Sequence, residues 1–151
     1  AGRSSAFLCK NIIDKLTLAI EKLGKESDEG WRIRGLKALI RNIRHLLLFT
    51  GMHDRLKAGE TFSKDDRTFF GQVMRAELDN CDEMITVLEK GPSNVLPLAP
   101  TKEAEHTFMF GPDLADQLRL KKKQMVAHWH DLDDLLIGKT AGVLCIFQNC
   151  G

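Results

Sequence analysis

A row of basic residues is the first feature of this sequence whose residue types and spacing could support binding chemistry. Residues 31–49 contain no acidic side chain and the following basic ones: Arg32, Arg34, Lys37, Arg41 and Arg44. Ammonium and guanidinium groups bind carboxylates and phosphates. Large apolar residues recur between them three and four positions apart, which predicts a helix that is apolar on one side and cationic on the other. We expect Arg34, Lys37 and Arg41 to form a partner-binding surface.

This basic stripe also has an intramolecular interpretation. The segment 76–89 carries acids and no base: Glu77, Asp79, Asp82, Glu83 and Glu89. Because the two patterns have opposite signs, the stripe could instead face solvent or pair with this acidic segment inside the fold. In that case Arg34, Lys37 and Arg41 would meet acids such as Glu77, Asp79 or Asp82. Phosphate of nucleic acid or of a membrane surface is a less favoured partner. The formal net charge is only +1, and a single aromatic residue, Trp31, lies near the stripe.

The cysteines are a second candidate for chemistry. Cys9, Cys81, Cys145 and Cys150 form no CxxC pair, and this spacing does not favour structural zinc. An even count that involves both ends of the chain favours disulfides and therefore a secreted protein. We expect Cys145 and Cys150 each to bridge back to Cys9 or Cys81. Four buried thiols in a cytoplasmic protein is the alternative.

Histidines and aspartates near the end of the last predicted helix are a third candidate. His128 lies three positions before Asp131, and His130 lies four before Asp134, so each pair can meet on a helix. The two histidines point about 200° apart and cannot share one ion. Surface ion pairs are therefore favoured, and we predict no metal and no other cofactor. No GxSxG, HExxH, GxGxxG or phosphate-binding glycine loop is present, so we expect no catalysis.

Four helices are predicted to position these groups. Cap and stop residues place them at about 4–24, 28–51, 63–90 and 112–137. The first two are joined by a short polar link and should pack antiparallel. Apolar residues at helical spacing are predicted to face the core, among them Leu8, Ile20 and Leu23 on the first helix and Trp31, Leu36, Ile43 and Leu46 on the second.

A long connection precedes the last helix. Residues 91–111 hold three of the four prolines and cannot form one regular element. We predict a crossover along the bundle. Its Phe108, Met109 and Phe110 exceed what a solvated linker needs, so we expect them to be a contact surface; the alternative is that they cap the core. After Gly138 we expect a short irregular or extended tail, tied down by the cysteines.

Together these patterns predict an all-α, four-helix bundle-like single domain spanning residues 1–151. The favoured function is that of a secreted, effector-like or ligand-like protein that acts by binding a protein partner, which could be acidic. A bundle that holds a small apolar ligand or substrate, as a binding protein or helical enzyme, is the alternative. A cytoplasmic signalling or adaptor domain is the third. No apolar run is long enough for a transmembrane segment.

Overall fold

A computed structural model describes residues 2–136, and this part of the chain is helical and contains no strand. Its elements in order are α1 (Gly2–Leu23), α2 (Asp28–Lys57), α3 (Lys64–Lys90), a 3₁₀ turn (Lys102–Thr107), α4 (Leu114–Ala127) and α5 (Trp129–Leu136). Each α-helix packs on the next one along the chain. The predicted all-α, bundle-like fold is confirmed. No described helix combines the length and the apolar character that crossing a membrane requires.

The helix termini follow from local chemistry. Gly24 ends α1 with φ of 88°, a left-handed conformation that favours glycine. The hydroxyl of Ser27 accepts a hydrogen bond from the Gly30 amide at 2.9 Å and caps α2. A capping box opens α3: the Asp66 amide donates to Ser63 Oγ, and the Ser63 amide donates to Asp66 Oδ2, both at 3.0 Å. These three termini lie where the sequence predicted them.

One predicted helix end was wrong, and one predicted helix is interrupted. The second helix continues through Gly51 to Lys57, and Gly59 with φ of 76° follows its end. An interior glycine costs a helix only about 1 kcal/mol relative to alanine, and Met52, one residue further on, is buried against Phe70. This packing outweighs the glycine. The predicted last helix is divided at His128 into α4 and α5.

The main core lies between α2, α3 and the crossover connection. Its buried members are Trp31, Ala38, Met84, Val87, Val95 and Leu96. Gly35 allows the connection to approach α2 closely, since a Cβ at this position would lie 3.3 Å from Leu96 Cδ2. The connection is further held at Leu98 and Phe110, which form an isolated β-bridge. The predicted crossover is therefore confirmed, and it contributes two side chains to the core.

Several apolar side chains predicted to be buried are exposed instead. Leu8 is 60% exposed, Leu46 is 58% exposed, and Leu23, Leu36 and Ile43 are also exposed. The side of α2 that is buried carries mostly small or polar residues: Gly30, Trp31, Gly35, Ala38, His45 and Met52. Small residues let α2 and α3 approach closely, so the buried line is displaced from the line of largest hydrophobicity. Trp31 and Ile20 are buried as predicted.

Candidate functional site

The predicted cations of α2 line a cleft. Arg34, Lys37 and Arg41 all contribute to its wall, and its volume is about 310 Å³. The other lining residues come from α1, from the turn that follows it, from α2 and from α3: Thr17, Ile20, Glu21, Lys25, Ala38 and Glu83. Because residues 34, 37 and 41 are three and four positions apart, one side of the helix presents all three to the same space. The structure therefore brings this part of the predicted surface together.

Arg34 forms the fixed wall of the cleft. Its Nε donates to Glu83 Oε1 at 2.7 Å and its Nη2 donates to Glu83 Oε2 at 3.0 Å. Its guanidinium also lies 4.1 Å from the centre of the Trp31 ring. Such a two-point ion pair is geometrically specific. The hydrogen bond to Glu83 raises the pKa of Arg34, so its charge is permanent but already neutralised.

Lys37 and Arg41 are in a different position. Neither is ion-paired with any carboxylate in the described part of the chain. Burial of the Lys37 ammonium group lowers its pKa, and the positive charge of Arg41 lowers it further. The folded protein thus holds two like charges close together at a partly desolvated place. An anion bound between them would relieve this repulsion.

Arg44 extends the same row by one turn. It follows Arg41 by three positions, so helical spacing places the two on one side of α2. Its Nε is buried and has no hydrogen-bond partner within the described residues. A buried donor without a partner costs a protein about 1–3 kcal/mol. The row therefore ends, after Lys37 and Arg41, in a third cation for which the described residues provide no partner.

The acids of α3 pair mainly with α4 and not with the basic stripe. Lys121 pairs with Glu77, Lys122 with Asp82 and Arg119 with Glu89. Only Arg34 among the three predicted cations pairs with α3, and its partner is Glu83. Pairing of the stripe with the acidic segment is therefore confirmed for Arg34 alone, through Glu83 and not through Glu77, Asp79 or Asp82; Lys37 and Arg41 form no such pair. The basic residues Lys121 and Lys122 of α4 take two of these acids, and Lys37 and Arg41 have no ion pair within the described residues.

A buried carboxylate, Glu77, lies where α2, α3 and α4 meet. Asn42 Nδ2 donates to its Oε1 at 2.6 Å, and His45 and Lys121 also bond to it. Burial alone would raise the pKa of Glu77, but the hydrogen bonds from His45 and Lys121 outweigh it and lower the pKa to about 2. With the carboxylate ionised, Nδ1 of His45 must carry the proton. These groups satisfy one another, which indicates a structural junction.

Sequence reasoning missed this junction, although it left a signal. Glu77 lies at helical spacing from the buried Val73, Cys81 and Met84, and an acid on the apolar side of a helix requires a partner. His45 likewise lies on the buried side of α2. Cys81 Sγ is 3.9 Å from Glu77 Oε1, and burial raises the pKa of this thiol. The position of Glu77 could therefore have predicted a buried ion pair, but not its partners.

The three predicted contact residues of the crossover do not line the cleft. Phe108 is 41% exposed and Met109 is 73% exposed. Phe110 is half-buried, and its carbonyl accepts a hydrogen bond from the Ala99 amide at 2.8 Å. Phe108 and Met109 therefore do not cap the core, whereas Phe110 anchors the connection. Any binding by this segment would involve a surface separate from the cleft.

The cysteines and histidines complete the predicted candidates. Cys9 and Cys81 are buried and free, so the predicted bridges from them are not found; Cys145, Cys150 and the predicted tail lie outside the described residues. His128 Nδ1 lies 2.7 Å from Asp131 Oδ2, which confirms one predicted surface ion pair. Within residues 2–136, no three histidine, cysteine or acidic side chains are placed to hold a metal ion.

Comparisons with known proteins add no further restraint on function. No protein-family model matches this chain, and no curated protein or solved structure shows significant similarity to it. Its chemistry has to be argued from the groups that the fold brings together, and among the described residues the cleft combines open space with charge that has no ion-pair partner.

Proposed function

We propose that the protein acts by binding, and that the cleft receives an acidic segment of a protein partner. The observation that supports this is the position of Lys37 and Arg41, which line the cleft without an ion pair to any described carboxylate. Unpaired cations in a concave site attract acidic groups and orient them on arrival. A fold that only required stability would not gain from this arrangement.

The charge of the cleft is local. Four of its lining residues are basic and two are acidic, which gives 4 − 2 = +2, whereas the whole chain carries only +1. The Arg34–Glu83 pair cancels itself. The remaining excess therefore comes from Lys25, Lys37 and Arg41 against Glu21, and it is available to a ligand.

A protein partner fits the surroundings better than nucleic acid does. No aromatic residue lines the cleft, so it offers no ring on which a base could stack. The exposed side of the same helix carries Leu36, Ile43 and Leu46. Protein interfaces combine apolar contacts with a charged rim, and α2 supplies both. The charged lining also suits an acidic side chain better than the small apolar ligand of our alternative hypothesis.

The test compares two double variants that change the charge equally. Lys37→Glu with Arg41→Glu should weaken binding of a fluorescein-labelled polyglutamate peptide by about tenfold or more, because charge-assisted hydrogen bonds are lost and repulsion is added. Lys57→Glu with Lys64→Glu is the control, since both lysines are exposed and distant from the cleft. Fluorescence anisotropy gives the affinities, and circular dichroism verifies the fold.

The two variants separate site binding from general attraction. We expect the control to reduce affinity by no more than about twofold at physiological salt, where exposed charges are screened. An equal loss in both variants would mean that the peptide responds only to net charge. Unchanged binding in the cleft variant would refute the proposal directly.

Secretion was predicted from the cysteines and is a separate matter. Cys9 and Cys81 are free thiols, so the described residues give that prediction no support. Intact mass of never-reduced protein tests it, measured after alkylation in denaturant, which exposes buried thiols, with and without prior reduction. Four alkylated thiols without reductant would sink the prediction of disulfides.

A further inference from the structure

The unpaired charge of the cleft matches a doubly charged group better than a single carboxylate. The charges of Arg34 and Glu83 cancel as an ion pair. The remaining charged lining residues are three cations, Lys25, Lys37 and Arg41, and one acid, Glu21. A carboxylate carries one negative charge and would leave part of this excess uncompensated. A phosphate monoester carries about −1.5 to −2 at neutral pH and presents three acceptor oxygens.

The geometry of α2 also suits a tetrahedral anion. Lys37 and Arg41 are four positions apart, which brings their Cβ atoms to within about 6 Å on one side of the helix. An ammonium group binds phosphate as a compact charge, and a guanidinium group can donate two parallel hydrogen bonds. Lys25 belongs to the turn between α1 and α2 and also lines the cleft, so cations reach the space from two segments of the chain.

The next cation in the row offers a place for flanking acid. Arg44 continues the side of α2 that carries Lys37 and Arg41, and its buried Nε lacks a hydrogen-bond partner within the described residues. The Nε atom itself is out of reach of a ligand, so a carboxylate next to the phosphate of a peptide would have to meet the terminal nitrogens of this guanidinium. The alignment thus accommodates a phosphorylated residue within an acidic segment.

We propose that the cleft binds a phosphate monoester carried by an acidic peptide segment of the partner, with Lys37 and Arg41 as its main ligands. This inference rests on the proposed function and narrows it, because recognition then depends on phosphorylation. Lys25 adds charge from the turn between α1 and α2, and Arg34 with Glu83 holds the wall in place.

The first experiment uses small probes that isolate the phosphate group. ¹⁵N NMR spectra of the full chain are recorded during titration with N-acetyl-phosphoserine amide, N-acetyl-glutamate amide or inorganic phosphate at constant ionic strength. We expect the phosphoserine probe to shift the amides around Lys37 and Arg41 and to bind about tenfold tighter than the glutamate probe, a difference of about 1.4 kcal/mol. Inorganic phosphate should compete for the same amides.

Variants then test the assigned ligands. Lys37→Ala and Arg41→Ala should each weaken the phosphoserine probe by about tenfold, because each removes a charge-assisted hydrogen bond. Arg41→Lys should recover only part of the loss, since an ammonium group cannot donate the two-point pair. Lys57→Ala is the matched control and should leave the affinity unchanged.

The remaining outcomes each refute something specific. Equal affinity for the phosphoserine and glutamate probes would overturn the phosphate inference and leave the acidic-partner proposal standing. Absence of shifts with every probe, together with no binding of polyglutamate, would overturn both. Tighter binding to vesicles containing phosphatidic acid than to a phosphoserine peptide, lost in Lys37→Ala, would assign the cleft to a lipid headgroup and refute a peptide ligand.

Discussion

Replacing Glu77 by glutamine should destabilise the fold more than any other single charge removal on α3. Its carboxylate is buried and bonds to Asn42, His45 and Lys121. Glutamine has nearly the same shape, so the change removes the charge without leaving a cavity. It also presents an amide N–H₂ to groups that are themselves donors, which leaves at least one of them without an acceptor.

The size of the effect follows from the pKa of Glu77. Its hydrogen bonds, working against burial, lower that pKa from 4.5 to about 2. Each pKa unit corresponds to 1.36 kcal/mol, so the ionised carboxylate contributes about 3 kcal/mol to the free energy of unfolding. Because the pKa is lower in the folded state, this contribution is complete above pH 4.5, the unfolded value. It is lost progressively as the pH falls toward 2.

Urea unfolding followed by circular dichroism measures this directly. At pH 7 Glu77→Gln should lose about 3 kcal/mol. Near pH 2.5 the difference from the unmodified protein should shrink to less than half of that value. Asp79→Asn is the matched control on the same helix, since Asp79 is exposed and has no ion pair within the described residues. It should change stability by less than about 0.5 kcal/mol.

Two results would refute this reasoning. The first is a Glu77→Gln variant as stable at pH 7 as Asp79→Asn, which would mean that the junction contributes no net stability, as happens for some buried ion pairs. The second is a difference between Glu77→Gln and the unmodified protein that stays constant from pH 7 to pH 2.5. The loss would then come from packing and not from the charge.

Three further predictions concern the core, the connection and the thiols. Gly51→Ala should stabilise the protein by about 0.5–1 kcal/mol, measured by thermal unfolding, because a Cβ at this position meets open space. Gly35→Ala should stabilise it less, since its Cβ would lie 3.3 Å from Leu96 Cδ2. An equal gain in stability from both variants would contradict the close approach of the connection to Gly35. Phe108→Ser should lower the free energy of unfolding by less than about 1 kcal/mol, and Leu96→Ala should lower it by about 2–5 kcal/mol, because of these two residues only Leu96 is buried. A larger loss of stability in Phe108→Ser would place Phe108 in the core. Burial raises the pKa of the Cys81 thiol. Iodoacetamide at pH 8 should therefore alkylate Cys81 far more slowly in folded than in urea-unfolded protein, as measured by peptide mass analysis. Equal alkylation rates would contradict the burial of Cys81.

The helix bounds show what the sequence could predict and where packing decided otherwise. Gly24 and Ser63 act within a few residues of themselves, so their patterns were sufficient to place the end of α1 and the start of α3. Gly51 has the same local signal as Gly24 but lies beside Met52, which is buried against Phe70 from another helix. A contact that distant in sequence is not visible in the local pattern, and it reverses the outcome.

The cleft was predictable in its residues but not in its surroundings. Helical spacing alone places Lys37 and Arg41 on one side of α2. Both α2 and α4 pack against α3, and both carry basic residues, so the pairing depends on which side of α3 each helix covers. Helix α4 takes Glu77 and Asp82 through Lys121 and Lys122, whereas α2 takes Glu83 through Arg34. The sequence offered no means of choosing between them, because charge complementarity carries no information about topology.

That choice is the reason why we propose a functional role for the charge on α2. Asp79 of α3 stays exposed without an ion pair in the described residues, and no described carboxylate forms an ion pair with Lys37. Instead Lys37 is partly buried beside Arg41, and burial together with that neighbouring charge lowers its pKa. Like charges held together against their own repulsion destabilise the folded state, and sites that depart from local consistency in this way are often functional ones. A bound anion would turn the same repulsion into affinity, since the cations are already in position before it arrives.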